Sequence, residues 1–180
     1  MMNLELNARS PFHDLLQPVG SGGGVVVSDR SGEVLVSVQP RGGHMRTVES
    51  RLRHHSKALR VGPETWWILG ASAKDLEGLR DIASLADQSG AFGILRLTGP
   101  RVRDALAKLV FIDLHPDAFK PGQVASTAAA HLGITLWRLG DGPHGAEFEL
   151  AAYRSFADSL WHAISAGAAE FGLTRSPSPT

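Results

Sequence analysis

Apolar residues in this chain fall into short runs of alternating or β-branched character, separated by Gly, Pro, Asp and Ser clusters. Only four stretches carry the three- and four-residue spacing of a helix, one of them thinly. Val25-Val-Val-Ser28 and Glu33-Val-Leu-Val-Ser-Val38 flank the turn signal Asp29-Arg-Ser-Gly32 and predict a hairpin. Between residues 44 and 60 the apolar positions Val48, Leu52 and Leu59 form a thin stripe, which predicts a short surface helix or loop. Trp66-Trp-Ile-Leu69, bounded by Gly62-Pro63 and Gly70, predicts a buried strand. Leu76, Leu79, Ile82, Ala83 and Ala86 share a face, predicting a helix over 75–85.

The second half is more sharply punctuated. Phe92 to Leu97 alternates as a strand, with Ile94 and Arg96 on one face and Leu95 and Leu97 on the other. Thr98-Gly99 turns the chain and Pro100 sits where a helix begins. Val102, Ala105, Leu106, Leu109 and Val110 then give an apolar helical stripe. Residues 113–122 hold two prolines and one glycine and predict an ordered loop. Gln123–Ala130 and Ile134–Leu139 predict strands joined by a turn at Gly133, and Glu147–Tyr153 predicts a third after the turn cluster at 140–145. Ser155 with Asp158 has capping-box spacing. Phe156, Leu160, Ile164, Ala168 and Phe171 would form that helix's buried face, and Gly172 its stop.

This order predicts an α+β fold, with an antiparallel or mixed sheet and helices packed on one face. Residues 1–24 read as an extended arm and Gly-rich hinge, and residues 25–173 as the domain, divisible into lobes of about 25–90 and 91–173. Residues 174–180 read as a disordered tail.

Composition narrows the chemistry. At 180 residues the chain can bury a core of its own, and 18 basic against 18 acidic residues give no field attracting nucleic acid or an anionic membrane. Cysteine is absent, which removes disulfides, thiolate metal sites and a thiol nucleophile. With no signal-like N-terminus and no apolar run of spanning length, the expected location is the cytoplasm.

The candidate chemical features have plainer structural readings. Gly20 to Gly24 precede a strand instead of following one and opening a helix, so they read as a linker and not a phosphate loop. The adjacent pair His54-His55 and the scattered His115, His131, His144 and His162 lack metal-ligand spacing. Asp113 reads as a turn former in the proline loop, and no Gly-x-Ser-x-Gly elbow accompanies the serines. Arg96, Arg101, Arg103 and Lys108 read as a solvated basic face that could meet an acidic partner. No catalytic, cofactor-binding or metal residue is assigned.

Three blocks carry a resemblance: Arg96-Leu-Thr-Gly-Pro-Arg-Val-Arg-Asp104, Asp113-Leu-His-Pro-Asp-Ala-Phe-Lys-Pro-Gly122 and Arg154-Ser-Phe-Ala-Asp-Ser-Leu-Trp161. Together with Glu64-Thr-Trp-Trp-Ile-Leu-Gly70, they resemble the gamma subunit of heterotetrameric sarcosine oxidase and related N-methyl amino acid oxidase or dehydrogenase complexes, over residues 62–172. The resemblance implies a fold like the folate-binding domain of aminomethyltransferase, with ferredoxin-like β-α-β units. It implies a non-catalytic subunit packed on a larger alpha subunit, beside beta and delta subunits. In such a complex FAD, FMN, NAD and tetrahydrofolate lie on the other chains; sarcosine is demethylated to glycine, tetrahydrofolate accepts the one-carbon unit and hydrogen peroxide is formed. A stand-alone folate-binding one-carbon protein, or a gamma-type subunit of an N-methylglutamate dehydrogenase-like complex, is the alternative. Trp161, Phe119 and Arg154 are the candidate partner-interface residues, near a docking face formed by the 116–122 loop and the 154–161 helix start.

Overall fold

The structure, a computed structural model, describes residues 9–16 and 23–176. Two sheets lie face to face. The larger holds β1 (Val25–Asp29), β6 (Phe92–Gly99), β7 (Val124–Ala129), β8 (Leu132–Gly142), β9 (Gly145–Tyr153) and β10 (Leu173–Arg175), in the order β10-β1-β6-β9-β8-β7. The smaller holds β2 (Leu35–Pro40), β3 (Ala58–Gly62), β4 (Thr65–Leu69) and β5 (Ala83–Asp87), in the order β3-β4-β2-β5. All named pairings are antiparallel except β1 with β10. The α+β class and the mixed sheet therefore hold.

Strand alternation explains the layering. Leu95 and Leu97 of β6, Leu136 of β8 and Phe148 and Leu150 of β9 point to one side of the large sheet. There they form the main core with α2 (Val102–Ala107) and α3 (Ala157–Ala168). Ile94, Trp137 and Ala151 point to the other side and meet Leu35, Leu59, Trp67 and Leu69 of the small sheet. The small sheet's outer face, with Val36, Val38, Trp66 and Ile68, is covered by Val48 and Leu52 of α1 (Met45–Leu52) and by Leu76 and Leu79. Each sheet thus has helices packed on one face, as the sequence pattern predicts, and because the sheets meet through their other faces the helical layers lie on the two outsides. At one edge Ser126 Oγ of β7 donates to the Val61 carbonyl of β3 at 2.7 Å, joining the sheets.

Several local expectations change for tertiary reasons. The Val25–Ser28 and Glu33–Val38 runs both form strands but enter different sheets, so the predicted hairpin does not form. Residues 75–85 are a single 3-10 turn (Glu77–Leu79) followed by β5, because pairing of β5 with β2 outweighs a helix pattern interrupted by Gly78. Leu59, grouped with the α1 stripe, belongs to β3. Thr174 and Arg175, assigned to a tail, pair with β1, while residues 177–180 lie outside the described residues. Phe12 and Leu16, assigned to an extended arm, are fully buried in the main core; the rest of the proposed arm and hinge, 1–8 and 17–22, lies outside the described residues. Ser155 makes no capping bond, since a 3-10 turn over Arg154–Phe156 leaves Phe156 at the cap position. Gly172 does end the helical segment, at φ 75°.

The β7–β8 turn falls on Ala130 and His131, with φ of 46° and 72°, two residues before Gly133, the glycine expected to form it. Two consecutive left-handed residues suit Asn-Gly far better than Ala-His. The substitutions Ala130→Asn and His131→Gly together should stabilise the fold by about 1 kcal/mol. Thermal denaturation should show this as a rise of about 2–4 °C at this chain length.

Candidate functional site: a cleft between two sheets with an aromatic and a charged end

Register fixes the chemistry along the inter-sheet cleft. β6 and β9 pair Phe92 with Tyr153 at one end and Arg96 with Glu149 four residues further on, all four facing the small sheet. At the aromatic end the Phe92 ring lies 4.5 Å from that of Trp67 and 5.0 Å from that of Tyr153. Tyr153 is 58% and Phe156 43% exposed, and these rings border an open pocket of about 540 Å³ with Ser126, Thr127 and Thr135. No charged side chain lines that pocket.

The charged end is built around Glu149, which is only 3% exposed. Arg96 donates from Nε at 2.9 Å and approaches with Nη2 at 2.7 Å on Oε1, while the Trp137 indole N–H donates to Oε2 at 2.9 Å. Arg30 lies 3.8 Å from the same carboxylate and 3.7 Å from Glu33, which also pairs with Lys57. The network ties both sheets together through side chains. A buried carboxylate survives here because it is both paired and hydrogen-bonded.

A buried cation holds the proline loop. Arg138, 3% exposed, grips the Asp141 carboxylate with two 2.9 Å bonds and donates to the Phe119 carbonyl at 2.8 Å. Arg103 donates to the Leu114 carbonyl at 3.0 Å and lies over the Phe148 ring. Asp113 accepts the His115 amide at 2.8 Å, the turn-forming role its position suggested, and is exposed outside the cleft.

The hydrogen bonds from Arg138 hold the Asp141 carboxyl below the usual carboxylate range. Ser89 does the same for Asp87 and Ser72 for Asp75. A carboxyl depressed in the folded state contributes stability above its unfolded pKa near 3.8 and loses it as pH falls through the folded value. The urea midpoint should therefore drop below about pH 4. Asp141→Asn should lower it at neutral pH and make the acid decline shallower; an unchanged acid decline would refute that assignment.

The sequence-nominated interface residues separate. Phe119 is 7% exposed and stacks near Phe148, so it is a core residue with no surface to offer. Trp161 is half-buried against the main core, while Arg154 is exposed and donates to the Arg9 carbonyl. The basic face also dissolves. Arg96 turns inward, Arg101 pairs with Asp104 over the Phe171 ring, Lys108 pairs with Glu170, and Arg103 serves the loop.

Tyr153 and Glu149 were not singled out in the sequence, and Phe156, expected on the buried face of the last helix, is exposed because it sits at the helix cap. A signal was present for Glu149: Arg96 and Glu149 are opposite charges at alternate positions of two otherwise apolar strands. Among the described residues, no group of three or more His, Asp and Glu is placed to hold a metal ion.

The sequence model described as the sarcosine oxidase, gamma subunit family matches residues 76–170, more than half of the chain. The chain belongs to this family. That stretch covers β6, α2, the proline loop and the strands bearing Trp137, Glu149 and Tyr153. No curated protein matches the sequence. Among solved structures, the fold is similar to a chain of the heterotetrameric sarcosine oxidase from Corynebacterium sp. U-96, determined in complex with pyrrole 2-carboxylate. The TM-score is 0.76 at 19% identity, covering 91% of this chain and 96% of that one. The glycine cleavage system aminomethyltransferase T of Bartonella henselae is similar at a TM-score of 0.57 and 12% identity, covering 87% of this chain. This family member spans 48% of that enzyme's chain. Both likenesses are of fold.

Proposed function

We propose that this chain is a non-catalytic gamma subunit that supports assembly of a heterotetrameric sarcosine oxidase-like complex by packing on its alpha subunit. The observation that carries the reading is the family match across residues 76–170, on a fold that aligns almost end to end with a chain of such an oxidase. In this reading the complex, located in the cytoplasm with beta and delta subunits, demethylates sarcosine oxidatively to glycine. Tetrahydrofolate takes the one-carbon unit and hydrogen peroxide leaves as product, with FAD, FMN, NAD and tetrahydrofolate held by the other chains. The exposed Tyr153–Phe156 aromatics supply what a docking surface needs: large side chains that bury area at low entropic cost.

Co-expression with an alpha-type flavoprotein subunit is the test. The chain should copurify with it, and alone should bind no flavin and turn over no sarcosine. Failure to associate with any alpha-type partner overturns the proposal. The likeness to aminomethyltransferase T keeps a second reading, direct folate binding, open to measurement. The aromatic pocket offers flat stacking surfaces and hydroxyls but no carboxylate to grip a pterin ring. Calorimetry of the isolated chain with tetrahydrofolate should accordingly give no saturable heat.

A further inference from the structure

At the charged end of the cleft the sheets do not close completely. A cavity of about 140 Å³ remains, floored by Leu59, Leu69 and Trp137, with Lys57, Arg96, Glu33 and Glu149 around it. A water occupies about 30 Å³ in the liquid, so this space holds a molecule of about four to seven heavy atoms. The charges around it do not cancel. Lys57 and Arg96 at the wall, with Arg30 behind it against both carboxylates, supply three cations to the two carboxylates of Glu33 and Glu149, leaving the network one positive charge. The nearby Arg138 is already matched by Asp141 and adds nothing to that surplus. Arg30 Nε is buried without a hydrogen-bond acceptor, and Ser56 also lines the cavity.

We propose that this cavity binds a short monocarboxylate, with its carboxylate between Lys57 and Arg96 and its hydrocarbon end on the Leu59–Leu69–Trp137 floor. Each part of the surroundings matches one part of that ligand. The single surplus cation is neutralised by one negative charge, which lowers the cost of keeping partly desolvated guanidinium groups. The charge-assisted donors favour a carboxylate over a neutral molecule. The apolar floor rewards a methyl or ethyl group over bare chloride, and the volume excludes long chains. The site is independent of the Tyr153–Phe156 face and does not rest on the assembly reading.

The test is an NMR titration of the full chain carrying 15N-labelled tryptophan, with sodium acetate, propionate and hexanoate against sodium chloride at fixed pH and ionic strength. The Trp137 indole N–H is the reporter, because it is bonded to Glu149 at the cavity wall. Acetate and propionate should give a saturable shift in the millimolar range, and Lys57→Gln should weaken it about tenfold. Lys57 is half-exposed, and a native near-ultraviolet circular dichroism spectrum would verify that the variant folds. A shift matched by chloride, unchanged by Lys57→Gln, or equally strong for hexanoate overturns the proposal. Repeating the titration after assembly with partner subunits separates a free ligand from a partner's carboxylate. Retained binding supports the free ligand; binding abolished on assembly means a partner side chain takes the cavity and overturns it.

Discussion

Glu149→Ala should destabilise the fold by about 3–5 kcal/mol, a large share of the roughly 5–15 kcal/mol available to a domain of ordinary stability. The cost does not come from losing the attraction alone. Removing the carboxylate leaves the partly buried Arg96 and Arg30 guanidinium groups and the fully buried Trp137 indole N–H facing each other. The Arg96 and Trp137 donors then lack their shared acceptor, Arg30 loses a neighbouring counter-charge, and each desolvated donor carries its own penalty. Glu149→Gln should cost less, since the amide oxygen still accepts one bond, although its NH₂ group meets donors. Urea denaturation of the two variants beside the parent chain would rank them. A loss under about 1 kcal/mol for Glu149→Ala would show that the cleft relaxes or hydrates around the missing group.

Combined Tyr153→Ala and Phe156→Ala substitutions should spare folding and impair assembly. Both rings are largely outside the cores, at 58% and 43% exposure, so their loss removes little buried area from the isolated chain. Truncation of aromatic anchors at an interface commonly costs about 2 kcal/mol or more, corresponding to roughly thirtyfold weaker association. Co-purification with the alpha-type subunit, with denaturation of the free chain as the folding control, reads both effects. Unaltered recovery of the complex would move the docking face elsewhere, with the 84%-exposed Phe111 as the next aromatic to truncate.

How far the site could be read in advance depended on the range of the forces that build it. The alternation around Ile94–Leu97 is local and placed Ile94 and Arg96 on one face, but a charged residue on that face read as solvated, and only its pairing with Glu149 turns Arg96 inward. That its partner is Glu149, 53 positions away, follows from the β6–β9 register. The proline loop was legible as ordered because Pro and Gly restrict its backbone locally. Its fasteners, Arg103 and Arg138, were not, since each reaches carbonyls remote in sequence. Phe119 was nominated for a surface because an aromatic in a loop has no periodicity to mark it as buried; the stack near Phe148 and the bond from Arg138 to its carbonyl draw it inside.

Residues 75–85 show the converse. Leu76, Leu79 and Ala83 do meet in one apolar cluster, as the helical spacing required, but in a turn-and-strand conformation. Burial preference was encoded locally, whereas backbone conformation was settled by the open edge of β2.

By itself, then, the sequence determined the α+β class, most of the strands, the α2 and α3 stripes and the family blocks. These depend on periodicity, turn residues and motif spacing within a few positions of each other. Only the tertiary structure decided that β1 and β2 part into different sheets and that helices cover both outer faces. It also decided that one cleft carries stacked aromatics at one end and a surplus positive charge at the other. Those outcomes rest on strand order and register, which bring together side chains that no local spacing connects.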